Sequence, residues 1–288
     1  MASGGRISAS IAIDGQDLEG DIAHLRWFIV DDTLRGTGIG KRLLDAAIAF
    51  CDAQGFSETH LWMFQGLDTS RALYERVGFR LAEEKNGQQW GADVLDAEVI
   101  RQKRPLLSKQ VWAIRARLQL ANNLRDLALF NVAIDSKLRG CDLVRLSVVD
   151  LVKEDCVRER VSVIQSKTRR PVQFELTENI RDPVLAWVKS PEMLACLFMF
   201  PNRFHDCPHI STRQYGRLVH DWVSAIGLEP SGYGTHSLRR TKAAEIYRKT
   251  GNLRAVQLLL GHTKVDSTVR YLGVELEDAL SIAENIDL

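Results

Sequence analysis

The spacing of apolar residues changes its period at about residue 100, and that change limits what the chain can fold into. Ahead of it, strand-like runs alternate with runs of helical spacing. "RISASIAID" and "IAHLRWFIV" read as strands, and "KRLLDAAIAFCDAQG" as a helix. Leu43, Leu44, Ala47, Ile48 and Cys51 fall on one face of that helix, and Gly55 stops it. "THLWMF" is a further strand, and "DTSRALYERVG" a short helix capped by Asp68 or Thr69. "FRLAEE" and "QQWGADVL" form a hairpin about Asn86-Gly87. The order β-β-α-β-α-β-β predicts an α/β unit over residues 1–100. A basic connector, "RQKRP" (101–105), ends it. Helical periods then cover 108–121, 124–137, 178–189, 211–226, 236–250, 252–260 and 275–285. Two strand-like runs interrupt them, "VRERVSVIQ" and "PVQFELT", joined by "SKTRR". Residues 106–288 are therefore expected to be mainly helical, with a small antiparallel β-sheet.

Charge divides at the same place. Residues 1–100 carry 9 Lys and Arg against 16 Asp and Glu, a net −7, and the rest carry 29 against 21, a net +8. An acidic front and a basic back point to different partners, a polyanion for the second. No apolar run approaches a membrane span, and "MASGGRISAS" lacks the pattern of a leader, so no membrane association is expected. Five cysteines without a CxxC pair fit reduced thiols and a cytoplasmic location.

"RGTGIGK" (35–41) lies between a strand and an amphipathic helix. Three residues separate Gly36 from Gly40, and Arg42 follows Lys41, so it is not a Walker P-loop. Lys41 stands where a dinucleotide fingerprint needs glycine. What remains is R-x-x-G-x-G at a helix N-terminus, where small residues and free N–H groups admit a phosphate. This stretch, with "LYERVGF" (73–79), resembles the GNAT acyltransferases over roughly residues 6–98. The resemblance implies acetyl-CoA as cofactor, its pyrophosphate cradled by Arg35, Gly36, Gly38, Gly40 and Lys41. The strand edge at Ile29-Val30 would pair with the pantetheine arm, and Tyr74 would protonate the leaving thiolate. The family begins with a strand and two helices that residues 1–5 cannot supply, so the unit is expected to be a truncated one.

In the second half, "SKLRGCDLVRL" places Arg139 just before a helix, and "QSKTRRPVQF" puts Lys167 at a hairpin tip. "GTHSLRRT" holds His236 and Arg239 one helical turn apart. "LLLGHTKVDSTVRYLG" follows with His262 and, nine residues on, Tyr271. The order Arg, Lys, His-x-x-Arg, His, Tyr resembles the catalytic domain of the tyrosine recombinases, or phage integrases, over about 105–288. That resemblance implies site-specific cleavage and rejoining of double-stranded DNA. Arg139, Arg239 and His262 would hold the scissile phosphate, Tyr271 would attack it to leave a 3′-phosphotyrosyl link, and His236 would assist as base. Lys167 would protonate the departing 5′-oxygen. Transition-state charge gathers on phosphate oxygens, which is why forked, permanently charged arginines suit the task. Neither ATP nor metal is needed, and "FHDCPH", with His205, Cys207 and His209, lacks a fourth ligand.

Arg145, Arg169, Arg170 and Arg240 read as surface or phosphate-backbone contacts, and Trp112 and Trp222 as core. The tail "VELEDALSIAENIDL" reads as a helix that, by resemblance, docks on a neighbouring copy on DNA. Two other functions stay open: an acetyltransferase with an inactive integrase passenger, and a non-catalytic DNA-binding regulator.

Overall fold

The computed structural model describes residues 2–3, 6–16, 22–64, 66–87, 94–203, 208–262 and 265–272. It divides into two compact units, Met1–Arg104 with Glu229–Gly234, and Pro105–Leu228 with Thr235–Leu288. The fold classes read from the sequence hold: an α/β front and a mainly helical back.

The first unit is built on a five-stranded sheet in the order Ala9–Asp14, Ile22–Val30, Glu58–Phe64, Val94–Gln102, Phe79–Gly87. The second and third strands are parallel, as the crossover through the Ile39–Gln54 helix requires, and the other neighbours are antiparallel. Alternate residues Leu25, Leu61, Met63, Ala97 and Val99 pack on Leu44 and Ile48 of that helix and Tyr74 of the Asp68–Arg76 helix. Each large side chain so buried contributes roughly 1.5–3 kcal/mol. The parallel ladder is short. It joins only Ile22, Ala23 and His24 to Glu58, Thr59 and His60. Beyond His24 the strand keeps Ala9–Asp14 as its ladder partner, through a bulge where Trp27 takes a left-handed φ of 49°.

Three local expectations are corrected. Asn86 and Gly87 do not turn the hairpin: they pair with Leu95 and Val94, and the connection lies outside the described residues. Asp68 is the first residue of its helix, and Leu67 stands at the N-cap without a side-chain bond. The connector at 101–105 begins inside a strand, since Arg101 and Gln102 end Val94–Gln102. Arg101 and Lys103 are buried on the Asp52 carboxylate, at 3.1 and 2.7 Å, rather than solvated. Burial pushes Asp52 up, but Lys103 and Arg101 outweigh it and hold the carboxyl below its ordinary range. Burial also pulls Lys103 down to about 8. Both cations donate to Ser231 O, at 3.0 and 2.9 Å, and Arg104 N–H donates to Gly232 O, so residues 229–234 complete this unit.

The other face of the sheet carries His60, 1% exposed, with Nε2 on Glu58 and Nδ1 on Glu98, each at 2.8 Å. Gln102 Nε2 donates to Glu58 as well. Burial alone would lower the imidazole pKa, yet the two carboxylates outweigh it and raise it. A raised folded value stabilises fully below the unfolded value of about 6.5 and is lost as pH rises through the folded value. The melting temperature of the chain is therefore expected to fall as pH climbs above about 6.5 and through the raised folded value, and His60→Gln to flatten that slope. Thermal denaturation of both proteins across a buffer series measures it, and parallel curves would contradict the assignment.

In the second unit, Leu124–Ser136 is buried continuously from Asp126 to Ser136, so it is the central helix. Its Phe130 meets Trp222 of the Thr212–Ala225 helix edge-on at 5.5 Å, and Trp222 donates to Asp126. Helices Ser108–Leu120, Glu178–Val188 and Thr235–Thr250 pack around it, with Leu253–Leu260 following. Strands Arg160–Ile164 and Pro171–Glu175 form the expected antiparallel hairpin. Trp112, expected in the core, is 71% exposed, because Val111, Ile114 and Leu118 form the inward stripe and Trp112 lies one residue off it. The helix Val265–Leu272 has no counterpart among the helical periods of the sequence. The tail expected to form a helix over 275–285, and His205 and Cys207, lie outside the described residues.

Candidate active site

Each expected recombinase residue is placed by a local feature of the backbone. The central helix ends at Lys137 in the left-handed region, φ 54°, and the chain leaves extended, so that Arg139 caps the short helix Gly140–Leu143. Lys137 is itself buried, and burial, with Lys242 nearby, lowers its pKa to about 8. Arg139 Nη1 donates to Gln165 Oε1 at 2.9 Å. Lys167 stands exposed on the hairpin turn. His236 and Arg239 share the first turns of Thr235–Thr250 and are both buried.

Leu253–Leu260 is capped at its start by Asn252, which accepts from Ala255 N–H, and stopped by Gly261 at φ 69°. A Cβ on Gly261 would come within 2.8 Å of Val172 Cγ2, so this turn needs glycine for conformation and for room. Arg239 Nη2 donates to Leu260 O at 2.9 Å, at the end of that helix. His262 follows, its Nδ1 3.1 Å from Thr268 Oγ1. If the hydroxyl donates, the other ring nitrogen carries the proton and is the donor towards a ligand.

Tyr271 sits on the helix Val265–Leu272, 6% exposed, packed with Ala243, Val256 and Leu260. Its ring meets His262 edge-on at 5.3 Å and lies 5.6 and 5.5 Å from the guanidinium carbons of Arg239 and Arg240. Tyr271 is thus both a core residue and the meeting point of two guanidinium groups and an imidazole. The structure brings Arg239, His262 and Tyr271 together directly, and reaches Arg139 through Gln165. His236 shares a helix with Arg239, and Lys167 stands exposed on the turn that follows Gln165.

Three residues of this neighbourhood escaped the sequence reading. Arg240, expected as a surface or phosphate-backbone contact, is buried against the Tyr271 ring, because its helix is inward-facing over 236–241. Gln165 and Thr268 carried no signal of their own beyond lying near Lys167 and Tyr271. Arg169 and Arg170 are exposed as expected, and Arg145, also exposed, donates to Ser166 Oγ. His209 leans its ring on Phe198 at 5.1 Å. Among the described residues no group of His, Cys, Asp and Glu is arranged to hold a metal ion.

In the first unit, Gly36 and Gly38 take φ of 76° and 80°, and nothing lies within 4 Å of a Cβ built on either. The Ile39–Gln54 helix starts here, and Arg42 N–H is the first to close back, onto Gly38 O. Gly40 lies against Phe28 and Val30, at 3.6 and 3.7 Å from a built Cβ, which seats the helix on the strand. Arg35 and Lys41 are exposed and ion-paired with Asp32 and Asp45. Ile29 and Val30 pair with Ser10 and Ala9 on one side, and their other side faces the gap past the parallel ladder. Tyr74 lies between Phe28 and Phe79, at 6.1 and 5.8 Å between ring centres, and burial pushes its phenol up to about 12.

The sequence profile of the phage integrase family matches residues 104–277, and that of the acetyltransferase (GNAT) family residues 2–79. A probable integrase/recombinase of Bacillus subtilis, YoeC, is 29% identical over 167 residues, 58% of this chain and 87% of that protein. Tyrosine recombinase XerC of Chlamydia trachomatis serovar L2 is 29% identical over 198 residues, 63% of this chain and 59% of its own length. Among solved structures, XerA recombinase superposes with a TM-score of 0.50 at 17% identity, over 63% of this chain and 64% of its own. XerH bound to a palindromic difH substrate superposes at 0.52 and 19% identity, over 62% and 52%. With the integrase profile running over more than half of its residues, behind a GNAT-type front, the chain belongs to the phage integrase family.

Proposed function

We propose that the chain is a site-specific DNA recombinase that cleaves and rejoins double-stranded DNA through a 3′-phosphotyrosyl intermediate. The observation that carries this reading is the Tyr271 ring, held 5.3 Å from His262 and 5.6 Å from the Arg239 guanidinium. A phosphodiester seated over that ring meets two forked cations, Arg239 and Arg139, and an imidazole donor. Tyr271 Oη forms a bond to phosphorus as the bond to the 5′-oxygen breaks. The phenol proton passes to His236, and Lys167 supplies a proton to the leaving oxygen. The bond energy stays in the phosphotyrosine, and attack by a 5′-hydroxyl returns it. Partners in this reading are duplex DNA and further copies of the chain, brought together on DNA by the tail beyond residue 273.

The test is covalent capture. Incubation with a library of nicked, randomised duplexes should yield a complex that survives detergent, is destroyed by protease and is linked through the DNA 3′-phosphate. Sequencing the captured DNA gives the preferred site. Non-covalent retention alone would support a regulator instead.

A second reading is favoured by the first unit's open strand edge. With two positive-φ glycines at a helix N-terminus and Lys41 beside them, the residues fit an acyl-CoA. Arg35, Gly36, Gly38, Gly40 and Lys41 would hold the pyrophosphate, Ile29 and Val30 the pantetheine amides, and the thioester would supply an activated acetyl group. Tyr74, with its raised pKa, stays protonated at neutral pH. At 100 times its dissociation constant, CoA would stabilise the chain by about 2.7 kcal/mol. Millimolar CoA is therefore expected to raise the melting temperature, and Lys41→Glu to remove the shift. Lys41 is exposed and paired across its own helix, so that substitution leaves folding nearly unchanged. No shift in the parent chain retires the cofactor reading.

A further inference from the structure

Gln165 follows the strand Arg160–Ile164 and opens the Lys167 turn, and it is fully buried, at 0% exposure. Its side-chain oxygen accepts from Arg139 Nη1 at 2.9 Å and from Thr168 Oγ1 at 2.8 Å. Its amide nitrogen donates to Leu260 O at 3.4 Å, and that same carbonyl accepts from Arg239 Nη2 at 2.9 Å. One amide therefore touches the first arginine, the turn bearing the lysine, and the carbonyl that steers the second arginine. Gly261 lies against it: a Cβ there would stand 3.4 Å from both amide heteroatoms, in contact with the amide.

We infer that Gln165 is a positioning residue for phosphate activation, setting Arg139 and Arg239 at a fixed separation around the scissile group. The inference rests on the recombinase reading and adds a residue to it. The chemistry of the side chain matters. A carboxylate in this place would pair bidentately with Arg139 and neutralise the charge the phosphate must meet. A neutral amide orients one N–H of the guanidinium and leaves its charge available. Because the same amide also donates, it ties the clamp to the helix end from which His262 follows. A purely apolar residue would fill the space but leave the two arginines to find their separation independently, and a displacement of about 1 Å can cost 10²-fold in rate.

The experiment compares Gln165→Met with the parent full-length chain in single-turnover cleavage of a nicked duplex carrying the captured site. A second duplex has a methylphosphonate at the scissile position. Methionine retains length and volume while removing both hydrogen-bonding atoms. Cleavage of the phosphate is expected to slow by about 10²-fold, with unchanged DNA affinity and no loss of cooperative melting. On the methylphosphonate, which gathers less charge for the arginines to meet, the deficit should shrink to less than about tenfold. A general packing defect would slow both substrates equally, and that result overturns the inference. So does equal cleavage of the phosphate by variant and parent, which leaves the recombinase reading standing. Failure of the parent chain to form any adduct removes that reading and this one together. Should Gln165→Met not fold, Gln165→Glu keeps the acceptor for Arg139 but adds the neutralising charge. It too must cleave slowly on phosphate, and parental rate in that variant would overturn the inference.

Discussion

Phenylalanine in place of Tyr271 is expected to abolish covalent capture of DNA while leaving non-covalent affinity essentially unchanged. The substitution removes one oxygen and keeps the ring that packs on Ala243, Val256 and Leu260 and meets His262 edge-on. The guanidinium groups of Arg239 and Arg240 keep their ring neighbour, so the site proposed to receive the phosphate should persist. Removal of a nucleophile commonly costs at least ~10⁴-fold in turnover, because no other group is placed to attack. Denaturing electrophoresis after incubation with nicked duplex reads the adduct, and anisotropy with the same DNA reads affinity. A covalent complex from the Tyr271→Phe variant would mean that another residue attacks the phosphorus.

Arg239→Lys is expected to slow cleavage by about 10²–10³-fold with little change in DNA binding. The charge survives, so the usual argument from lost electrostatics does not apply. What goes is geometry. Arg239 is 2% exposed and donates from one nitrogen of its fork to Leu260 O, which fixes the plane of the group and, in the proposed reaction, its approach to the phosphate. An ammonium's three donors diverge tetrahedrally from one nitrogen and cannot serve the carbonyl and two phosphate oxygens in one plane. Single-turnover rates set against equilibrium affinity separate the two effects. Cleavage at the parental rate by the Arg239→Lys variant would show that the fork plays no part and that charge alone suffices.

Most elements were legible because their signals are local. The helices over 108–120, 124–136 and 235–250 and the hairpin around Lys167 each announce themselves within a dozen residues. The ordered Arg, Lys, His-x-x-Arg, His, Tyr series was legible as a resemblance, and the structure gathers Arg239, His262 and Tyr271 in one place. What stayed hidden depends on distant partners. Gln165 meets Leu260 across 95 positions, and nothing in "VIQSK" marks a glutamine as buried. Arg240 looked like one more surface cation because charge alone carries no information on which face of a helix turns inward. His262 to Leu272 lacked a clear period, since a helix of eight residues offers barely two turns to read. The cations at 101 and 103 resembled a linker for the same reason: their carboxylate, Asp52, lies about fifty positions upstream.

The inclusion of Glu229–Gly234 in the first unit has a consequence for the order of events during synthesis. Arg101 and Lys103 are ready as soon as the strand that ends at Gln102 emerges, but Ser231 O, which both cations use, is made 130 residues after Arg101. At ribosomal rates of about 5–20 residues per second, that is a delay of roughly 6–26 seconds. Through that interval the nascent front unit holds two cations on Asp52 with one acceptor still unmade. It can reach a sheet and a core, but not the acceptors that Ser231 and Gly232 supply. The front unit therefore starts to form well before the last acceptor its own cations use has been made.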